Sequence, residues 1–253
     1  MNEKKFERVE KKYILSAEQY DDILSLFKKK LQKDSYFLSG VYNIYFDTEH
    51  FDLIVQSIDQ PVFKEKLRAR SYEGYDKVFF EIKTKLRGRV YDKILVEKGA
   101  NHDNNIGAKR RVLITRKDYK DLMRGKADFV EVAGRKAESK TDEQIAREID
   151  YLVRLFDLKP KIYVHYDRES YKGERGLRIT FDKNLTYRTN RLEFKKNRKD
   201  KKYFQDNNVI MEIKALGAMP LWLAHELSAR KIYPQQFSKI GSIYNKIRKE
   251  QNV

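Results

Sequence analysis

The chain has 253 residues; 55 are Lys or Arg and 38 are Asp or Glu, a formal charge of +17. Aromatics at 13% and hydrophobics at 40% suffice for a core and exclude intrinsic disorder. The absence of cysteine excludes disulfides, thiolate metal sites and cysteine nucleophiles. No apolar run of membrane-spanning length and no leader-like N-terminus is present, so the chain is expected to be soluble and cytoplasmic.

Strand and helix signals alternate along the chain. Arg8 to Leu15 reads as a strand, and Ser16 caps a helix running to about Leu31, with Tyr20, Ile23, Leu24 and Phe27 on one face. Val41 to Phe46 is a strand, and Phe63–Tyr72 with Lys77–Lys85 forms a hairpin around Glu73-Gly74-Tyr75-Asp76. A strand over Arg89 to Glu97 and a loop from Gly99 to Gly107 follow, with the basic Ala108-Lys109-Arg110-Arg111 read as a solvated loop. Helices are expected over Thr115 to Met123 and Thr141 to Phe156, the latter with Ile145, Ile149, Leu152 and Leu155 at helical spacing. Strands return over Lys161 to Tyr171, Leu177 to Phe181 and Val209 to Ala215, with a basic surface loop from Asn190 to Asn208. Met219 to Lys231 and Lys239 to Lys249 close the chain as helices. The expectation is one α+β domain over residues 1–253, a large antiparallel sheet or barrel with helices outside.

Side chains two apart on a strand share a face. Lys66, Arg68 and Arg70 therefore point together, as do Glu81 and Lys83, Glu212 and Lys214, and Arg8, Glu10 and Lys12. One wet face of an ordinary sheet accounts for any single strand. Four strands with mixed Arg, Lys and Glu, and few Thr, Ser or Gln, point instead to a closed barrel with a cationic, carboxylate-bearing lumen. Such a lumen suits a linear polyanion: Arg forks onto phosphate oxygens, Lys supplies point charge, and Glu offers oxygen to a hard metal. The histidines His50, His102, His165 and His225 lack ligand spacing, so zinc is not expected.

The ordered set Arg68-Ala69-Arg70, Glu81-Ile82-Lys83, Tyr166-Asp167-Arg168, Arg178-Ile179-Thr180-Phe181-Asp182, Met211-Glu212-Ile213-Lys214 and Phe237-Ser238-Lys239 resembles a VTC domain. That is the polyphosphate polymerase domain of the vacuolar transporter chaperone complex, a triphosphate tunnel metalloenzyme related to CYTH proteins, with bacterial stand-alone relatives. The resemblance implies a tunnel-shaped antiparallel β-barrel with helices packed outside. It also implies transfer of the γ-phosphate of ATP to a growing polyphosphate chain, with Mn²⁺ or Mg²⁺. By resemblance the catalytic cations fall on Lys12, Arg68, Arg70, Lys83, Lys93, Arg168, Arg178 and Lys239. Tyr166 and Ser238 would contact substrate, and Glu212 would hold the metal. Gln236 departs from the family, which has a lysine there, and Arg8-x-Glu10-x-Lys12 departs from the double glutamate of CYTH triphosphatases.

Rival readings accompany several of these residues. Tyr166 could be a packing aromatic, Lys93 an exposed strand lysine, and Asp182 a residue that merely ends its strand. At the level of function, a metal-dependent triphosphatase or polyphosphatase would use Glu10 as a second ligand. A non-catalytic polyphosphate-binding module would serve a membrane-protein partner. Nucleic acid is not expected, because no RNP or KH motif is present.

Overall fold

The computed structural model describes residues 8–59, 63–87, 105–134 and 140–251. Strand β1 (Arg8–Leu15) leads into helix α1 (Ala17–Lys30), whose start is set by a capping box. The Ser16 hydroxyl accepts from Gln19 N, and the Gln19 side chain accepts from Ser16 N, so two helix-end donors are satisfied. Then come β2 (Gln32–Asp47), α2 (Asp52–Ile58), and the hairpin of β3 (Phe63–Tyr72) and β4 (Lys77–Arg87). Strand β5 (Asn105–Thr115) is followed by α3 (Arg116–Met123), α4 (Phe129–Gly134) and α5 (Lys140–Leu155). The chain ends with β6 (Lys159–Lys172), β7 (Arg178–Arg188), the short β8 (Lys201–Lys202), β9 (Val209–Leu216), α6 (Leu221–Ala229) and α7 (Lys239–Gln251).

Among the described residues these strands form one sheet in the order β1-β9-β7-β6-β2-β3-β4-β5, with β8 beside β7. The ladders β1·β9, β7·β9, β2·β3, β3·β4 and β4·β5 are antiparallel. The architecture is α+β, as the sequence indicates. The expected closed barrel is not found: β1 and β5 stand at the two ends of the order, and no ladder joins them among the described residues. Alternation decides which side of a strand carries charge, whereas closure requires the two edge strands to exchange hydrogen bonds.

The chain divides into two compact units. The first comprises Met1–Gly40, His165–Thr186 and Lys199–Lys239. Its core packs Tyr20, Ile23 and Phe27 of α1 onto Tyr13, Tyr171, Ile179, Phe181, Met211 and Ile213 of the strands. Phe181 is central there, edge-on to Tyr20 at 5.1 Å and beside Phe27 at 5.8 Å. The turn before β7 needs glycine at position 176: its φ is +71°, and a Cβ would stand 2.5 Å from the Leu216 side chain.

The second unit comprises Val41–Val164, Tyr187–Arg198 and Ile240–Val253. Phe80, Ile82, Leu67, Val112 and Ile114 of its strands bury against α3, α4 and α5 through Tyr119, Phe129, Val132, Ala146 and Ile149. One expectation is corrected here. Residues 105–111 continue a strand and are not a loop, because Arg110 is tied to Glu148 of α5 while Val112 and Ile114 enter the core. On α5, Ala146 and Ile149 are fully buried, and Leu155 at the end of the helix is 54% exposed. The expected strand from Arg89 to Glu97 lies outside the described residues.

Candidate phosphate-binding site

In the first unit the β1·β9 register sets Lys12 opposite Glu212 and Glu10 opposite Lys214. Opposite charges thus face each other directly, which favours this pairing. Lys214 Nζ lies 2.6 Å from Glu212 and 3.5 Å from Glu10, and Lys12 Nζ is 3.5 Å from Glu10. Lys12 also donates to the Phe237 carbonyl at 3.2 Å, and its own carbonyl accepts from Gln235 N at 2.8 Å, which lays the 235–237 segment along β1. Burial would raise the pKa of Glu212, but Lys214, Lys239 and Lys12 outweigh it and hold the carboxyl at about 2.

Across the β7·β9 ladder, Thr180 stands opposite Glu212 and Arg178 opposite Lys214. The Thr180 hydroxyl is buried and has no hydrogen-bond partner among the described residues. Arg178 Nε is 3.0 Å from Asp34 and donates to the Ser170 hydroxyl at 3.2 Å, leaving its side chain 41% exposed.

Asp182, fully buried, organises the rest of this face. Arg168 grips it with Nε at 2.6 Å and Nη2 at 2.8 Å, and Lys239 Nζ approaches at 2.6 Å. Burial alone would push the Asp182 pKa up; Arg168 and Lys239 hold it well below the carboxylate range. Both cations also stand over the Tyr166 ring, Arg168 at 5.2 Å and Lys239 at 4.8 Å. Asp182 therefore does more than end its strand, and β7 continues to Arg188. Ser238 is half-buried and immediately precedes Lys239, the first residue of α7.

The second unit carries its own cluster. Register places Tyr45 opposite Arg68, Arg68 opposite Glu81, and Glu81 opposite Arg111. Glu81, 1% exposed, receives Arg68 Nε at 2.6 Å and Arg70 Nε at 3.9 Å, and it also pairs with Lys109. Burial opposes its ionisation, yet Arg68, Arg70 and Lys109 hold its pKa at about 2. Arg70 is steadied further by Asn43, whose Oδ1 accepts at 2.8 Å.

The adjacent row of this face is Lys66 opposite Lys83 and Lys83 opposite Lys109. Like charges directly across a ladder destabilise a sheet. In this row Lys109 is offset by its pairing with Glu81.

The expected residues thus fall into two groups. Lys12, Arg168, Arg178, Lys239, Tyr166, Ser238 and Glu212 belong to the first unit, and Arg68, Arg70 and Lys83 to the second. Lys93 lies outside the described residues. Sequence reasoning left out Lys109, Asp182 and Asp34 as contributors. Lys109 was legible: Lys109-x-Arg111 alternates with Val112 and Ile114 at period two, a strand signal masked by the neighbouring basic residues. Asp34 and Asp182 owe their partners to other elements of the chain, which no local pattern reports. Among the described residues no three carboxylate or histidine side chains gather as a metal cage.

A family model described as the VTC domain matches residues 7–246. No curated protein matches the chain. Among solved structures, a Hippeastrum protein named for adenylyl cyclase and described as having a dominant triphosphatase activity aligns with a TM-score of 0.57. It is 15% identical, and the alignment covers 95% of this chain and 96% of that one. A protein from Vibrio parahaemolyticus, also named for adenylate cyclase, aligns at 0.44 with 10% identity over 94% of this chain and 97% of that one. The PH1819 protein from Pyrococcus horikoshii aligns at 0.44 with 14% identity over 94% and 99%. With the family model spanning both units and nearly all of the sequence, the chain belongs to the VTC domain family.

Proposed function

We propose that the chain is a polyphosphate polymerase, transferring the γ-phosphate of ATP to a growing inorganic polyphosphate chain. The observation that carries this reading is the lysine row Lys66–Lys83–Lys109 beside Arg68 and Arg70, an arrangement that favours a closely spaced polyanion. Family membership over residues 7–246 supports treating residues 1–253 as a single working domain. In the transfer, a terminal phosphate oxygen of the acceptor forms a bond to the γ-phosphorus while the bond from that phosphorus to the β–γ bridging oxygen breaks, releasing ADP. Such chemistry asks for positioning and charge stabilisation and needs no protein nucleophile. Arg68, Arg70, Arg168 and Arg178 are suited to fork onto non-bridging oxygens. Lys12, Lys83 and Lys239 neutralise the charge that builds during transfer, with Lys93 as a further contributor, and Ser238 donates a hydrogen bond. Tyr166 holds Arg168 and Lys239 over its ring.

The residues around Glu212 fit a divalent cation of the Mn²⁺ or Mg²⁺ class. Such ions take one or two carboxylates and leave the remaining positions to water and phosphate oxygens. Glu212 and Glu10 both reach Lys214, so they offer two hard oxygen donors in one place, with the unpartnered Thr180 hydroxyl opposite. When bound, the ion would neutralise charge on neighbouring phosphates.

Glu10 also favours a second reading. A carboxylate beside Glu212 is what a metal-dependent triphosphatase would use, and the Hippeastrum protein is described as having that activity. An accessory polyphosphate-binding module serving a membrane-protein partner would bind without turnover. Phosphorus NMR of ATP incubated with the chain and Mg²⁺ separates the three. The polymerase produces ADP and a growing signal from interior phosphates of a chain. Orthophosphate without that signal overturns the polymerase in favour of hydrolysis; unchanged ATP overturns the polymerase, and tripolyphosphate left unchanged as well overturns both enzymes.

A further inference from the structure

The first half of β2, in the first unit, carries large apolar side chains where a wet strand usually carries polar ones. Tyr36 is 79% exposed and Leu38 is 67% exposed. Between them Phe37 is packed, its ring 5.2 Å from Tyr171 and edge-on to it. The alternation of a strand puts Asp34, Tyr36 and Leu38 on the side opposite Phe37. Asp34 identifies that side: its carboxylate meets Arg178 at 3.0 Å and accepts from the Ser170 hydroxyl at 3.1 Å. Ser170 alternates in turn with Arg168 and Tyr166 on β6. Tyr36 and Leu38 therefore extend the cation-bearing face, one strand step from the carboxylate that holds Arg178.

Single exposed hydrophobics need no explanation, but an adjacent pair bordering a cationic face has a chemical complement. The complement is a ligand with a flat apolar end and an anionic end. Inorganic phosphate chains have only the second; nucleoside triphosphates have both. We propose that Tyr36 and Leu38 form a shelf for the nucleobase of a nucleoside triphosphate whose phosphates engage Arg178 and the cations beyond it. The shelf rests on the phosphate-binding reading of this face and adds the means to tell a nucleotide donor from an inorganic chain. Stacking on an aromatic ring tolerates any base, so the shelf accepts nucleoside triphosphates as a class.

Calorimetric titration of the full chain with ATP and with inorganic tripolyphosphate, both with Mg²⁺, tests this on wild type, Tyr36→Ser and Tyr36→Trp. The exposure of Tyr36 makes both variants compatible with folding. Tyr36→Ser is expected to weaken ATP about tenfold while tripolyphosphate stays within about twofold, and Tyr36→Trp is expected to retain ATP affinity. Equal weakening of both ligands by Tyr36→Ser, or no weakening of ATP, overturns the shelf and leaves the phosphate site standing. Wild-type binding of tripolyphosphate without ATP overturns it in the same way. Failure of the wild type to bind either ligand overturns the phosphate-binding reading and the shelf with it.

Discussion

Asp182 illustrates how one buried carboxylate sets the state of two cations. It has no exposure to solvent, and Arg168 and Lys239 both end on it. Removing its charge would leave two buried cations without their direct ion-pair partner, which costs about 3–5 kcal/mol. Asp182→Asn is therefore expected to lose that much in denaturant unfolding at neutral pH. The acid limb follows from the same contacts. Asp182, Glu81 and Glu212 all have pKa values below those of the unfolded chain, Glu81 falling from 4.5 to about 2. The stability they contribute is complete above the unfolded-state values and is lost as pH falls toward 2. The wild type should melt progressively lower across that window, and Asp182→Asn should show a shallower fall because its share is already gone. A variant with wild-type stability at pH 7 and a parallel acid limb would refute this assignment. The residues that make these contacts were mostly visible in the sequence as alternating charges; which carboxylate each cation chooses was not.

At the scale of elements, local signals succeeded where the stabilising partners are local. The capping box at Ser16, the turn around Gly74 and the apolar stripe of α1 all lie within a few residues of what they organise. The first half of β2 was missed because Gln32, Lys33, Asp34 and Ser35 carry no strand pattern, and α2 because its cap is remote. Helix α2 begins after Phe51, which sits at φ +63° and supplies no side-chain cap. The fully buried Asp47 serves instead: Oδ1 accepts from Leu53 N and Oδ2 from Ile54 N, each at 2.9 Å. Asp47→Ala strands these donors and should cost about 1–3 kcal/mol, with Asp47→Asn, which keeps one acceptor, costing less. Denaturant unfolding of the two variants measures this, and an Asp47→Ala protein as stable as wild type would remove the remote cap from the account.

For the molecule as a whole, the +17 charge pointed to an anionic partner, and the strands show where part of that charge is concentrated. Fold class was legible because alternation and helical period are written locally. Closure of the sheet was not, because it depends on edge hydrogen bonds that side-chain pattern does not encode. The central claim is that the Lys66–Lys83–Lys109 row binds a phosphate chain. Thermal unfolding of wild type and Lys83→Ala, with and without tripolyphosphate, tests it directly. Lys83 is exposed, so its truncation opens no cavity. Ligand at one hundred times its Kd stabilises by about 2.7 kcal/mol, or about 5–10 °C for a chain of this size. The account predicts that Lys83→Ala melts within a few degrees of the wild type without ligand and gains far less from tripolyphosphate. A variant that gains the same increment as the wild type would contradict it.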